Sequence, residues 1–113
     1  MEESLNKINQ LDAEGNRTGY WESYFSIGRL SWKGYYEKGK RSGYWEDYCL
    51  DGTLNCNGHY EKGMPVGYWQ ANWSNNQLNW SGHYEKGKEV GYWEFISPDG
   101  KLKYQQFYGR NPK

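Results

Sequence analysis

Residues 43–66 read GYWEDYCLDGTLNCNGHYEKGMPV, and the Gly-Tyr-Trp that opens them returns at 19–21, 67–69 and 91–93, a spacing of 24 residues each time. Other positions keep step: Leu30, Leu54, Leu78 and Leu102; Gly34, Gly58 and Gly82; Tyr36, Tyr60, Tyr84 and Tyr108. A fixed period marks a repeat architecture, in which each unit buries its apolar face mainly against its neighbours. Four units follow, at 19–42, 43–66, 67–90 and 91–113, after an N-terminal partial repeat or cap over 1–18. Gly15 stands one period before Gly39, which favours a half-unit in the cap, while Leu5, Ile8 and Leu11 are compatible with a short capping helix. The last unit decays, with Gln106 and Asn111 where earlier units carry glycine.

Each unit reads as a β-hairpin. In the second, residues 43–49 form one strand, Asp51-Gly52 the turn and residues 54–61 the return, and residues 62–66 link to the next hairpin. Asp-Gly is a strong hairpin signal because both residues tolerate positive φ. Asp99-Gly100 repeats it and Asn75-Asn76 is a fair substitute, whereas Ile27-Gly28 fits a four-residue loop better. The register this implies sets Trp45 opposite Gly58, Trp21 opposite Gly34 and Trp69 opposite Gly82, and a large ring over a cross-strand glycine stabilises a sheet. It also pairs Tyr20 with Tyr35, Tyr44 with His59, Tyr68 with His83 and Tyr92 with Phe107. Cys49 is expected opposite Leu54, and Cys56 opposite Asp47. Strand alternation places Trp21, Trp45, Trp69 and Trp93 on an apolar, structural face with Phe25, Trp32, Cys49, Leu54, Cys56, Tyr60, Trp73 and Trp80. Tyr44, Glu46, Tyr48, Asn55, Asn57 and His59 fall on the other. The expected fold is all-β: tandem β-hairpin repeats in an elongated, twisted antiparallel sheet of about eight strands plus the cap.

Composition narrows the function. The chain has 113 residues, with 14 Lys and Arg against 14 Asp and Glu, so its formal charge is zero. That balance opposes a nucleic-acid partner and removes the simplest reason to dock on an anionic membrane. Aliphatic residues are scarce, but 7 Trp, 12 Tyr and 3 Phe supply the missing apolar area. The N-terminus lacks a secretion signal pattern, and the expectation is a cytoplasmic protein.

Catalysis has little support. Cys56 and His59 are three apart on one strand and so point to opposite faces. His59 and His83 lie one hairpin apart, ~9–10 Å, too far to share a metal ion. Glu37, Glu61 and Glu85, each followed by lysine, repeat in the first three units and read as a solvated stripe along the connecting loops, whereas a catalytic site is a single asymmetric constellation. No enzyme activity, metal or cofactor is expected. The Tyr/His face is the better candidate, because rings with polar tips suit recognition of another protein, and suit sugar stacking as well.

These residues resemble the MORN-repeat family. Its spacing of glycine, aromatic, glycine and glycine is matched by Gly34, Tyr36, Gly39 and Gly43, by Gly58, Tyr60, Gly63 and Gly67, and by Gly82, Tyr84, Gly87 and Gly91. Its later glycine corresponds to Gly28, Gly52 and Gly100, with Asn76 as the exception. Tryptophan replaces one further family glycine, at Trp45, Trp69 and Trp93, and the period is one longer than usual. Both departures are similar to bacterial MORN-variant proteins, some of them labelled antitoxin components. The resemblance implies serial hairpins used as an interaction scaffold, with dimers or lipid binding in some members. A weaker likeness, at Gly63–Trp69, is to choline-binding hairpin repeats of cell-wall proteins.

The expected function is a non-enzymatic protein–protein interaction module, an antitoxin, immunity or inhibitor protein among the options. Its partner would contact Tyr20, Tyr44, Tyr48, His59, Tyr68, His83 and Tyr92. The alternative is a repeat protein that binds a small ligand, a carbohydrate or a lipid headgroup. An open single sheet also needs cover for its apolar face, from its own curvature, from a partner or from a second copy in a homodimer.

Overall fold

The computed structural model describes residues 8–73 and 75–109. They form one nine-stranded antiparallel sheet whose strands lie side by side in chain order. These are β1 (Gln10–Leu11), β2 (Arg17–Tyr24), β3 (Leu30–Glu37), β4 (Lys40–Tyr48), β5 (Leu54–Glu61), β6 (Met64–Asn72), β7 (Leu78–Glu85), β8 (Lys88–Ile96) and β9 (Leu102–Phe107). No strand returns to cover another, so the sheet is an open single layer measuring 48 × 40 × 22 Å. The N-terminal cap contributes β1, which pairs with β2. Leu5 lies outside the described residues, and Ile8 and Leu11 are in no helix.

Two kinds of turn alternate along the sheet. The wide turns differ from the expected two-residue Asp-Gly form. The Cys49 carbonyl accepts from Gly52 N–H while Cys49 N–H donates to Thr53, and Phe25, Trp73 and Ser97 repeat this pattern. Only the last loop residue has positive φ: 93° at Gly28, 93° at Gly52, 69° at Asn76 and 89° at Gly100. This is the three-residue hairpin loop, a type I turn closed by one left-handed residue. Ile27 therefore fits, because its slot needs no positive φ. The extra residue shifts the register by one, so Leu54 faces Tyr48 and Cys49 lies in the turn.

The narrow turns are Lys38-Gly39, Lys62-Gly63 and Lys86-Gly87, each with both residues at positive φ. Hence residues 62–66 are no linker. Lys62-Gly63 is a two-residue turn, and β6 already starts at Met64. The Glu/Lys stripe accordingly lies at these turns, each glutamate ending a strand and each lysine opening the turn.

A bulge in each long strand builds the core. Tyr35 pairs with Ser42 and Lys33 with Glu46, so the single residue Gly34 lies opposite residues 43–45. Gly58 and Gly82 face the same surplus in β6 and β8. Gly43, at φ 71°, opens the first bulge, and Gly67 and Gly91 open the others. The bulge swings each indole over the glycine of the preceding hairpin. A Cβ at Gly34 would lie 2.1 Å from Trp45, one at Gly58 2.0 Å from Trp69, and one at Gly82 2.1 Å from Trp93. Trp45 and Gly58 are Cα partners as expected, yet the ring over Gly58 is that of Trp69. Each tryptophan thus locks its own hairpin to the one before. Its indole N–H donates to the backbone there: Trp45 to Tyr35 at 3.0 Å, Trp69 to His59 at 3.1 Å and Trp93 to His83 at 3.2 Å.

The core is a ladder of rings. Trp21, Tyr36, Trp45, Tyr60, Trp69, Tyr84, Trp93 and Tyr108 meet edge to face in that order, with centroids 5.0 to 6.1 Å apart. Such pairs contribute ~0.5–1.5 kcal/mol each beyond the area they bury. Trp45 is wholly inaccessible to solvent in a single-layer sheet. Arg41 lies 4.4 Å over its ring, and Trp32 stacks on it at 5.0 Å. At the position of these glycines β9 carries Gln106, which is exposed.

Candidate functional site

The opposite face carries the residues singled out for recognition. Alternation along β2, β4, β6 and β8 sets Tyr20, Tyr44, Tyr68 and Tyr92 in one row, each paired across to the next strand. The ring centroids are 5.3 Å apart for Tyr20–Tyr35, 5.3 Å for Tyr44–His59, 5.4 Å for Tyr68–His83 and 4.8 Å for Tyr92–Phe107. Tyr44, His59, Tyr68, His83 and Tyr92 are exposed, while Tyr20 and Tyr48 are half-buried. Among the described residues no cluster of three or more His, Cys, Asp or Glu side chains has metal-site geometry.

The row is not uniform. In the first two units the face is tied down by a glutamate between two tyrosines. Tyr20 and Tyr24 donate to Glu22 at 2.7 and 2.5 Å, and Tyr44 and Tyr48 to Glu46 at 2.8 and 2.5 Å. Lys33 pairs with Glu46 at 3.4 Å, the one ion pair among the described residues. Burial favours the neutral form of Glu46, but the hydrogen bonds from Tyr48 and Tyr44 and the Lys33 charge outweigh it, so its carboxyl lies below the usual range. Burial first, then the hydrogen bond to Glu46, pushes the Tyr48 hydroxyl up to about 12. In the third unit Gln70 takes the place of the glutamate and accepts weakly from Tyr68, at 3.4 Å. In the fourth, Tyr92 is 67% exposed. The clamp was legible as Tyr-x-Glu-x-Tyr at 20–24 and 44–48, an i, i+2 pattern that keeps all three side chains on one strand face.

The bulges also shape a groove on this face, beside the narrow turns. Its larger segment, about 780 Å³, is walled by Val66, His83, Val90, Tyr92 and Phe107, with Glu61 and Glu85 at the rim. A second segment of about 480 Å³, one hairpin earlier, takes in Ser42, His59, Val66 and, again, Glu61. Val66, Val90 and Phe107 were not among the expected contact residues. They enter because the bulge carries the row of tyrosines away from the narrow turns and leaves a depression between. A separate basic depression of about 250 Å³ holds Lys38, Lys40, Arg41 and Lys62 beside Glu37.

The Cys56 thiol donates to Asp47 at 3.4 Å on the Trp face. Burial and then the Asp47 charge push it up to about 12, which keeps it protonated and unreactive at neutral pH. Cys49 and Cys56 are both free thiols. Among the described residues no helix is long and apolar enough to cross a membrane. The chain matches no protein-family model, no curated protein and no solved structure.

Proposed function

We propose that this chain is a non-enzymatic scaffold that binds another protein through its Tyr/His face. One observation carries the reading: the ring pairs Tyr44–His59 and Tyr68–His83, with Tyr92, are solvent-exposed on one face beside a groove, on a sheet whose opposite face is already spent on its own core. Amphipathic rings on a rigid backbone tolerate water when free and supply contact area when bound, at little cost in conformational entropy. The resemblance to MORN-variant proteins extends the proposal to an antitoxin, immunity or inhibitor role in the cytoplasm. Such a protein would work by covering its target, and the recurrence of a tyrosine at 20, 44, 68 and 92 supports a role without chemistry.

The test is calorimetry with the partner recovered by affinity capture from the native host. Tyr44→Ala combined with Tyr68→Ala is expected to weaken a one-to-one complex by at least ~1–2 kcal/mol while the sheet stays folded. Unchanged affinity in a folded double variant refutes the assignment. A second reading, an anionic lipid headgroup or small anion, is favoured by the basic depression around Lys38, Lys40, Arg41 and Lys62. It predicts flotation with phosphatidylserine vesicles that is lost when Lys38 and Lys62 become glutamine.

A further inference from the structure

The repeat is broken at one place on the Tyr/His face. Across the three narrow turns, Glu37 faces Lys40 and Glu85 faces Lys88, but Glu61 faces Met64. The next two positions along the strand change with it. Arg41 and Ser42 of β4 become Pro65 and Val66 in β6, and the second position is again apolar in β8, at Val90. Glu61 is exposed and lines both segments of the groove. Among the described residues its side chain makes no ion pair or hydrogen bond. The central groove is therefore walled by Val66, Val90 and Phe107 with the rings of His83 and Tyr92, and its rim carries two carboxylates, Glu61 and Glu85, against one cation, Lys86; of the two carboxylates only Glu61 has no lysine opposite it across its turn.

We infer that this groove seats one lysine or arginine side chain of the partner protein. This rests on the reading of the Tyr/His face as the partner surface. The charge pattern selects the occupant. An apolar partner would cover Glu61 and strip its water with nothing in exchange, and burying an unpaired charge is costly. An acidic partner would add repulsion. A lysine or arginine places its methylene stem against Val66 and Val90, brings its cationic head to Glu61 and presents it to the faces of the neighbouring rings. Glu85 shares this groove but faces Lys88 across its turn, and Glu37 faces Lys40 in the basic depression with Lys38 and Lys62, so neither offers an unopposed carboxylate.

The probe is the peptide acetyl-Gly-Gly-Lys-Gly-Gly-amide with its arginine counterpart, titrated into nitrogen-15-labelled protein at low salt, with the glutamate peptide as control. Amide shifts are expected at Glu61, Val66, His83 and Val90 with both basic peptides and not with the acidic one. Glu61→Gln should weaken them at least fivefold, and Glu37→Gln should leave them unchanged. Glu61 is exposed and makes no contact the fold depends on, so its variants keep the wild-type melting curve. Shifts centred elsewhere, equal shifts with the glutamate peptide, or wild-type affinity in Glu61→Gln would each overturn the inference. The captured protein separates the two readings. If it binds Glu61→Lys normally but loses affinity for the Tyr44/Tyr68 double variant, the aromatic surface stands and the cation seat falls. If the double variant binds normally, the surface reading falls, while the peptide titration still decides the seat.

Discussion

Gly58→Ala isolates the contact on which this sheet depends. The added Cβ would lie 2.0 Å from Cδ2 of Trp69, and ordinary contact begins near 3.4 Å, so ring and strand must part by about 1.4 Å. Such a shift breaks the Trp69 indole bond to His59, now 3.1 Å, and disturbs the edge-to-face contact with Tyr60 at 5.1 Å. Overpacking costs ~1–3 kcal/mol and the lost hydrogen bond ~1 kcal/mol, for a total of ~2–4 kcal/mol. In a domain of this size that lowers Tm by about 10 °C or more. Gln106→Ala, at the equivalent but exposed position of β9, should change stability by no more than ~0.5 kcal/mol. Urea denaturation of a double-mutant cycle identifies the ring. Gly58 should couple to Trp69 by ~2 kcal/mol and to its Cα partner Trp45 by less than ~0.5 kcal/mol. Trp69→Phe replaces Trp69→Ala if the latter is too unstable to measure. Coupling to Trp45 in place of Trp69, or a Gly58→Ala cost no larger than that of Gln106→Ala, would refute the inter-hairpin lock.

Deleting residues 67–90 removes one whole period and sets Trp93 over Gly58, so a folded but less stable β protein is expected; a random-coil circular dichroism spectrum would show that the units are not interchangeable. Glu46→Gln should cost about 1 kcal/mol at pH 7 through weakened tyrosine hydrogen bonds and the lost Lys33 pair. The Glu46 carboxyl is depressed in the folded state, so its contribution is present above the ordinary glutamate range and lost as pH falls through the folded value. The difference between wild type and variant in urea melts should therefore shrink below about pH 4. At pH 8 iodoacetamide should modify Cys56 far more slowly than an exposed thiol, because its pKa stands at about 12; peptide mass mapping that finds Cys56 rapidly alkylated would contradict its burial against Asp47.

The 24-residue period, with turn residues at fixed offsets, was enough to determine a serial array of hairpins, the pairing of Tyr44 with His59 and of Tyr68 with His83, and the two faces. Face assignment survived the bulges for a simple reason. Each adds two residues to the long strand, and side-chain alternation has a period of two, so parity is kept. The same parity hid the bulges. Nothing in the order of residues distinguishes a tryptophan lying over its own cross-strand glycine from one swung onto the previous hairpin, and only the assembled sheet decides for the latter. At the wide turns the loop gains a single residue, parity is not kept, and the expectation for Cys49 and Leu54 failed there. The site divides in the same way. The exposed row of Tyr44, Tyr68 and Tyr92 was legible as a strand face. The groove was not, because Val66, His83, Val90 and Phe107 come from separate strands and line one depression only after the bulges have bent them. The isolation of Glu61 lies between these cases. Met64 stands in the sequence where Lys40 and Lys88 stand in the neighbouring units, but that it faces Glu61 follows only from the two-residue turn at Lys62-Gly63, and turn geometry belongs to the folded chain.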